Sequence, residues 1–282
     1  MKEEITEMAD QETKVVIAAP NFGSALQIAM SEHLTKWLKP EEIARRSVTD
    51  DVGMQRERLK QALVQTNPTA LIAIDVRPDS DTIAAYSAAN VPIVLIDEET
   101  ADVSTITTDN RLGGQIAGEY LVAKGRKKIA IVSGKTQVQG GYNAEQRLKG
   151  FQQALSAGKL SILPECMIEA IHYSREDGIS VMPKLLQIGV DAIFCAAGDN
   201  CAVGLLTVAR EKHVRIPEDI AIVGFDDLLI ARLSTPKLTT IKQPLLEMAE
   251  AAYKMAVLNR DEILRKPQRV VFKPELVIRQ SA

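Results

Sequence analysis

Three things are in short supply in this chain, and each shortage closes off a class of function. Cysteine is scarce: Cys166, Cys195 and Cys201 are the only three, and no two form a CxxC pair. Such a set supports neither a disulfide framework nor a zinc site, so all three are expected as small buried side chains. Positive charge is in deficit, with 34 Lys and Arg against 37 Asp and Glu and a net charge of −3. Without a positive field the chain has little to hold a polyanion, which argues against nucleic-acid binding by these residues alone. Long apolar runs are missing too, since none reaches the roughly 18 residues that cross a bilayer. The N-terminal MKEEITEMADQETK is acidic and carries no apolar signal core; residues 1–12 read as a disordered leader. The expectations are no membrane partner and a cytoplasmic location.

The motifs of nucleotide and covalent chemistry are also missing. IVSGKT (131–136) looks like the tail of a phosphate loop, but Ile129 stands where that loop needs its first glycine. No GxGxxG follows an apolar run and no GxSxG is present. His33, His172 and His213 lie far apart without HExxH or HxxxH spacing. Only His172, beside Tyr173, is placed to approach a cleft. No acid/base pair or activated nucleophile emerges. Catalytic residues, metal and cofactors are therefore each expected to be none, and the chain is not expected to be an enzyme.

What is present is ordinary in amount and regular in order. Hydrophobic residues make up 46% and charged residues 25% of 282, and that length suits two lobes or one large α/β domain. Short β-branched runs recur as KVVIAAP (14–20), ALIAID (70–75), PIVLID (92–97), KIAIVSG (128–134), DAIFCAA (191–197) and IAIVGF (220–225). Segments of helical length lie between most of them, so the expected class is α/β with parallel sheets covered by helices. LLEMAEAAYKMAVL (245–258) predicts a helix burying Leu245, Met248, Ala252, Met255 and Ala256 on one stripe. Asn143 is the expected N-cap of a helix that Gly158 stops, and Asp109 or Asn110 caps the one through Leu121. The small residues of LGGQIAG (112–118) are expected to pack that helix closely on a sheet.

The apolar runs end on polar residues: Asn21, Asp75, Asp97, Ser133, Asp199 and Asp226. Open parallel sheets bind ligands beyond the carboxyl ends of their strands, so these tips are candidate site residues as well as turn formers. Asp226 and Asp227 stand side by side at one such end. Adjacent strand residues point to opposite faces, so a metal or paired-acid role needs the chain to turn there. The expectation is that one carboxylate faces a cleft while the other caps the next segment.

With these residues placed, the chain resembles the effector-binding core of the lactose-repressor (LacI/GalR) family of bacterial regulators over about 13–282. PIVLIDEE (92–99), TTDNRLGGQIAGEYLVAKGRKKIAIVSG (107–134), AEQRLKGFQQAL (144–155), KPELVIRQS (273–281) and above all IPEDIAIVGFDDLLIARLSTPKLTTIKQPLLEMA (216–249) carry the likeness. The resemblance implies a periplasmic-binding-protein-like fold of two side-by-side doubly wound lobes joined by three crossover segments, with a small ligand between them. The first lobe would take 13–108 and 243–268, the second 109–242 and 269–282, with crossovers near Thr108–Asp109, Lys242–Gln243 and Val270–Lys273. It implies that Arg147 grips the effector, that Asp226 accepts hydrogen bonds from sugar hydroxyls, that Asp97 is a cleft acid, and that Gln243 sits at a crossover in the site. Asn21, Phe22, Asp75, Tyr173 and Asp199 join the ligand-binding set, with Phe22 or Tyr173 stacking on a ring. It further implies a homodimer that binds a small polar, sugar-like metabolite, and DNA contact only through a helix-turn-helix absent from this sequence. One departure bears on the ligand: the family's usual Asn-Asp pair reads Gly198-Asp199 here. A transport receptor with the same fold is the alternative reading, and a sugar-modifying enzyme a more distant one.

Overall fold

The computed structural model describes residues 13–49, 51–135 and 141–282. The expected leader, and Thr136 of IVSGKT, lie outside the described residues. All six apolar runs form buried strands: β1 (Val15–Ala19) and, numbered with the strands between them, β3 (Ala70–Ile74), β4 (Ile93–Ile96), β6 (Ile129–Ser133), β8 (Ala192–Cys195) and β9 (Ala221–Asp226). Burial on both faces explains why they read as continuous apolar runs rather than alternating ones. The remaining strands, β2 (Ile43–Ser47), β5 (Ser104–Thr108), β7 (Met167–Glu169), β10 (Thr239–Lys242), β11 (Arg269–Phe272) and β12 (Glu275–Val277), lie at sheet margins or are rich in threonine.

Two six-stranded sheets result, in the orders β11-β5-β4-β3-β1-β2 and β12-β10-β9-β8-β6-β7. The two orders are the same pattern used twice. Pairings from β2 through β5, and from β7 through β10, are parallel, and β12 runs antiparallel to β10. The chain divides into two compact units. The first holds the chain up to Gly23, Gln27–Thr107 and Leu245–Val270; the second holds Ser24–Leu26, Thr108–Pro244 and Val271–Ala282.

In the first unit, helices α1 (Ala25–Leu34), α2 (Val52–Thr66) and α3 (Ser80–Ala88) link the strands. Asp51 and Asp79 cap α2 and α3 by accepting the Met54 and Thr82 amides. The stripe of Leu245, Met248, Ala252, Met255 and Ala256 is buried. Its helix α9 (Leu245–Tyr253) passes into a π turn, Lys254–Leu258, rather than continuing as α-helix. In the second unit, α4 (Asn110–Ala123), α5 (Tyr142–Ala157), α6 (Arg175–Ile188) and α7 (Asp199–Glu211) cover the sheet, with short α8 (Leu229–Leu233) after β9 and α10 (Arg260–Arg265) belonging to the first unit. The three thiols are free and buried.

Asp109 caps α4, accepting the Leu112 amide at 2.9 Å. The cap expected of Asn143 does not form. Residue 143 lies inside α5, whose N-cap is Gly141, and its side-chain oxygen accepts instead from Asn110. Gly158 does end the helix, as its C-cap, but with φ −78° rather than left-handed; Lys159 takes that conformation, and a Cβ at 158 would press on Val122. The LGGQIAG stripe serves mainly a helix pair. Gly113 lies on the Phe225 ring of the sheet, but a Cβ at Gly114 would collide with the Arg147 carbonyl oxygen. One at Gly118 would meet Ala154 and Phe151, and one at Gly150, across the pair, would collide with the Arg111 carbonyl. Helices α4 and α5 therefore approach backbone to backbone.

Gly114→Ala and Gly150→Ala are each expected to lower stability by about 1–3 kcal/mol, because backbone cannot yield to the added methyl as a flexible side chain would. Urea unfolding should show lower midpoints with an unchanged slope, and midpoints equal to the parent would contradict the close approach.

Candidate functional site

Sheets of this strand order place ligands where the winding reverses. That point lies between β1 and β3 in the first unit and between β6 and β8 in the second. In each unit the expected site residues gather at or near this carboxyl edge, and the backbone there is unusual. Phe22, Asp75, Asp97, Tyr173, Asp226 and Asp227 all have φ between 52° and 108°. Non-glycine residues enter this region at a conformational cost, and residues held there cluster at binding and active sites.

In the second unit the centre is Arg147 on α5, 7% exposed. Its Nε donates to Asn110 Oδ1 at 2.7 Å and its Nη1 to the Ala196 carbonyl at 2.8 Å. Its guanidinium lies over the Phe225 ring, 3.6 Å from the centroid. Phe225 is backed in turn by Phe194 and Phe151, with ring centroids 6.4 and 4.9 Å apart along the row. No carboxylate pairs with Arg147 and no acceptor meets Nη2 among the described residues. A buried cation without an anion is costly, and the Phe225 face and the two carbonyl oxygens offset part of that cost.

Asp226 ends β9, 8% exposed, and its Oδ1 accepts from Gln243 Nε2 at 2.7 Å. Gln243 is 2% exposed, and its Oε1 has no hydrogen-bond partner among the described residues. Such an orphan acceptor costs about 1–3 kcal/mol until a donor reaches it. Asp227 turns away: one oxygen meets Arg279 and the other Arg232 at 3.2 Å. It does not cap the next helix. The Leu228 amide at the start of α8 is held instead by Asp199 Oδ2 at 2.7 Å, while Asp199 Oδ1 accepts from the Thr240 hydroxyl at 2.6 Å. Asp199 is 0% exposed. Burial, then the neighbouring Asp226, pushes its carboxyl well above the usual range. Tyr173 is exposed, and its phenol lies across Gly134, where a Cβ would strike it. His172 is exposed and gives its backbone amide to Asp177.

In the first unit, Asn21 is exposed and its side chain takes the Gly23 amide at 2.6 Å, closing the turn after β1, with Phe22 half-buried beside it. Asp75 is half-buried and accepts from Gln27 at 3.0 Å. Asp97 is 8% exposed and its amide bonds Ile106 on β5. Next to it stands Glu98, also 8% exposed, which sequence reasoning passed over. Burial and then repulsion by Asp75 raise its pKa from 4.5 to about 7, against a lowering by Arg77. Asn110, Phe225 and Glu98 are thus the additions that the fold makes. An aromatic one residue before a strand-end acid was the visible signal for Phe225; Glu98 gave none beside Asp97.

These geometries can be set against known proteins. The Periplasmic binding protein-like domain family matches residues 119–282. The HTH-type transcriptional repressor PurR of Klebsiella pneumoniae subsp. pneumoniae is 33% identical over 240 residues, covering 82% of this chain and 68% of that protein. PurR of Haemophilus influenzae is 32% identical over 207 residues, 71% of this chain and 60% of that one, so this chain spans about two thirds or less of those relatives. A LacI-family regulator from Enterococcus faecium, solved with bound ribose, superposes with a TM-score of 0.83 at 22% identity, covering 95% of this chain and 98% of that one. A periplasmic binding protein/LacI regulator from Alkaliphilus metalliredigens, solved with D-xylulofuranose, superposes at 0.81 with 23% identity, covering 96% and 99%. The related repressors are not enzymes, and among the described residues no helix is long and apolar enough to cross a membrane and no metal-holding cluster occurs. By sequence and by fold, the chain belongs to the periplasmic-binding-protein-like effector-binding cores of LacI-type transcriptional regulators.

Proposed function

We propose that this chain binds a sugar or sugar derivative as the effector of a LacI-type regulator. The observation that carries the reading is the buried Arg147 on Phe225, which meets no carboxylate among the described residues, in the same unit as the Asp226–Gln243 pair whose Oε1 has no partner among those residues. A polyhydroxyl ligand offers an oxygen to the Arg147 fork and hydroxyl protons to Asp226 and Gln243. Tyr173 and Phe22 would supply apolar ring contact, and Asn21, Asp75 and Asp97 would read hydroxyls from the first unit, with Glu98 beside them. Asp199 contributes from beneath Asp226. Ribose and D-xylulofuranose in the two structural neighbours support this ligand class. The lobe bounds 13–108 with 243–268, and 109–242 with 269–282, the ligand held by both lobes, and its control of DNA binding through lobe closure are part of the same proposal. So are a homodimer, a cytoplasmic location and DNA contact through a helix-turn-helix outside these residues. A transport receptor has less support, because the relatives above 30% identity are transcriptional repressors.

Calorimetry against pentoses, hexoses, phosphosugars and nucleobases tests the reading. A polyol is expected to bind. Arg147→Ala should then weaken it by about 1.5–3 kcal/mol per lost charge-assisted bond, and Asp226→Asn should weaken it as well. Absence of binding to any polyol in the panel would sink the proposal.

Glu98 makes a second measurement available. Its folded pKa of about 7 lies above its ordinary 4.5, so the folded protein holds this proton more tightly than the unfolded chain. Its contribution to stability is full below pH 4.5 and is lost as pH rises through 7, a change on the order of 3 kcal/mol. Glu98→Gln is expected to flatten this part of the stability profile and to exceed the parent in stability at alkaline pH. A parent profile that rises with pH across the same window would contradict the assignment.

A further inference from the structure

The acids at 199 and 226 interlock through two glycines. A Cβ at Gly198, where φ is +101°, would stand 2.9 Å from Asp226 Oδ2. A Cβ at Gly224 would strike Asp199 Oδ1 and lie 2.7 Å from Leu238. Each glycine thus makes room for the carboxyl on the neighbouring strand end. Asp199 is wholly buried and meets two groups far away in sequence, the Leu228 amide and the Thr240 hydroxyl. Just before Leu228 the chain leaves β9, with Asp226 at φ 108° and Asp227 at φ 59°.

We infer that Asp199 is a positioning residue: from beneath the site it ties the turn after β9 to β10 and so sets where the Asp226 carboxylate stands. The inference rests on the effector-site reading only for the use to which Asp226 is put. The two left-handed residues need an outside restraint, and the Leu228 bond supplies it one residue beyond them. Chemistry also favours a neutral carboxyl at 199. The charged groups around it are Asp226 and Asp227, with the thiol of Cys195 close by. The cations Arg232 and Arg279 are taken by Asp227. Burial and the Asp226 charge both oppose ionisation of Asp199. Its two oxygens accept the Leu228 N–H and the Thr240 hydroxyl; with a proton on Oδ1 the rotatable Thr240 hydroxyl turns to accept it, and the Leu228 bond is kept. An asparagine makes the same two bonds and carries no charge to titrate.

The test uses the full chain without ligand. Hydrogen exchange at the Leu228 amide, read by NMR and corrected for its intrinsic pH dependence, reports the tie. The side-chain amide signals of Gln243 report the position of Asp226. In the parent, Leu228 protection is expected to fall as pH rises through the Asp199 titration, because a second carboxylate then faces Asp226. Asp199→Asn should keep the protection, remove its pH dependence and leave the Gln243 signals in place. Asp199→Ala should cut the protection by about tenfold or more and shift those signals. If Asp199→Ala does not fold, Thr240→Val, which removes only the tie to β10, should show a partial loss of Leu228 protection. Parent-like behaviour of Asp199→Ala or Thr240→Val, or equal damage from asparagine and alanine, overturns the inference. D-ribose, added afterwards, separates the two readings: failure of the sugar panel counts against the effector class, while Leu228 protection alone decides the role of Asp199.

Discussion

The interaction on which the second unit turns is the burial of a guanidinium that meets no carboxylate among the described residues. Left alone in an apolar interior such a charge would not persist. Here three features offset its cost. The Phe225 face meets the cation at 3.6 Å, Asn110 presents a carbonyl oxygen, and the strand-end carbonyl of Ala196 presents another. The first needs a row of three phenylalanines in a chain that has only five. The second needs the start of α4 beside α5, and that contact exists because Gly114 and Gly150 admit backbone carbonyls where a methyl would collide. The third needs β8 to end at Cys195 so that the next carbonyls turn out of the ladder. Motif, helix pair and sheet edge therefore serve one side chain. The charge is held firmly, with no acceptor on Nη2 among the described residues, which is preorganisation that the proposed binding role would use.

Local strain follows the same logic. A strand that simply continued would aim successive side chains to opposite faces. By passing into left-handed conformations at Asp75, Asp97 and Asp226, the chain presents a carboxylate at a strand tip and turns away at once. The two acids of GFDD show the benefit. Asp226 stays with Gln243, while Asp227 swings to Arg279 and Arg232 and anchors the turn. Neighbours in sequence thus have different tasks, one at the site edge and one in the scaffold.

How much of this is legible in the sequence depends on whether an interaction is local. Six strands stand out because both their faces are buried, so their apolar content needs no partner to be recognised. Strands such as IARRS at 43–47 and MIE at 167–169 are sheet edges with exposed residues, and their pairing exists only once β1 and β6 are in place. Arg147 and Asp226 stand out through a motif, and the fold buries both. Asn143 was misread as a cap because capping chemistry looks the same whether an asparagine serves its own helix or a neighbour's, and here it serves Asn110 on α4. Gly158 ends its helix as its position indicates, but what the fold needs there is the missing side chain, a feature that only the contact with Val122 reveals. Glu98 stayed hidden because nothing in DEE distinguishes a buried acid from a solvated one; only the crowding by Asp75 does so.

The repeated strand order carries a further consequence for recognition. Two units with the same winding offer their ligand edges in the same topological place, yet the chain has filled them with different chemistry. The first has Asp75, Asp97 and Glu98, which are acceptors when ionised, with Glu98 able to keep a proton near neutrality. The second combines the Arg147 donors with acceptors at Asp226 and Gln243. Within the second unit a strongly anionic ligand would suit Arg147 but be repelled by Asp226, and a strongly cationic one would suit Asp226 but not the buried guanidinium. A neutral molecule dense in groups that both donate and accept suits each set by itself. Hydroxyl groups are the simplest such chemistry, because each can rotate its proton toward an acid or its lone pair toward an arginine.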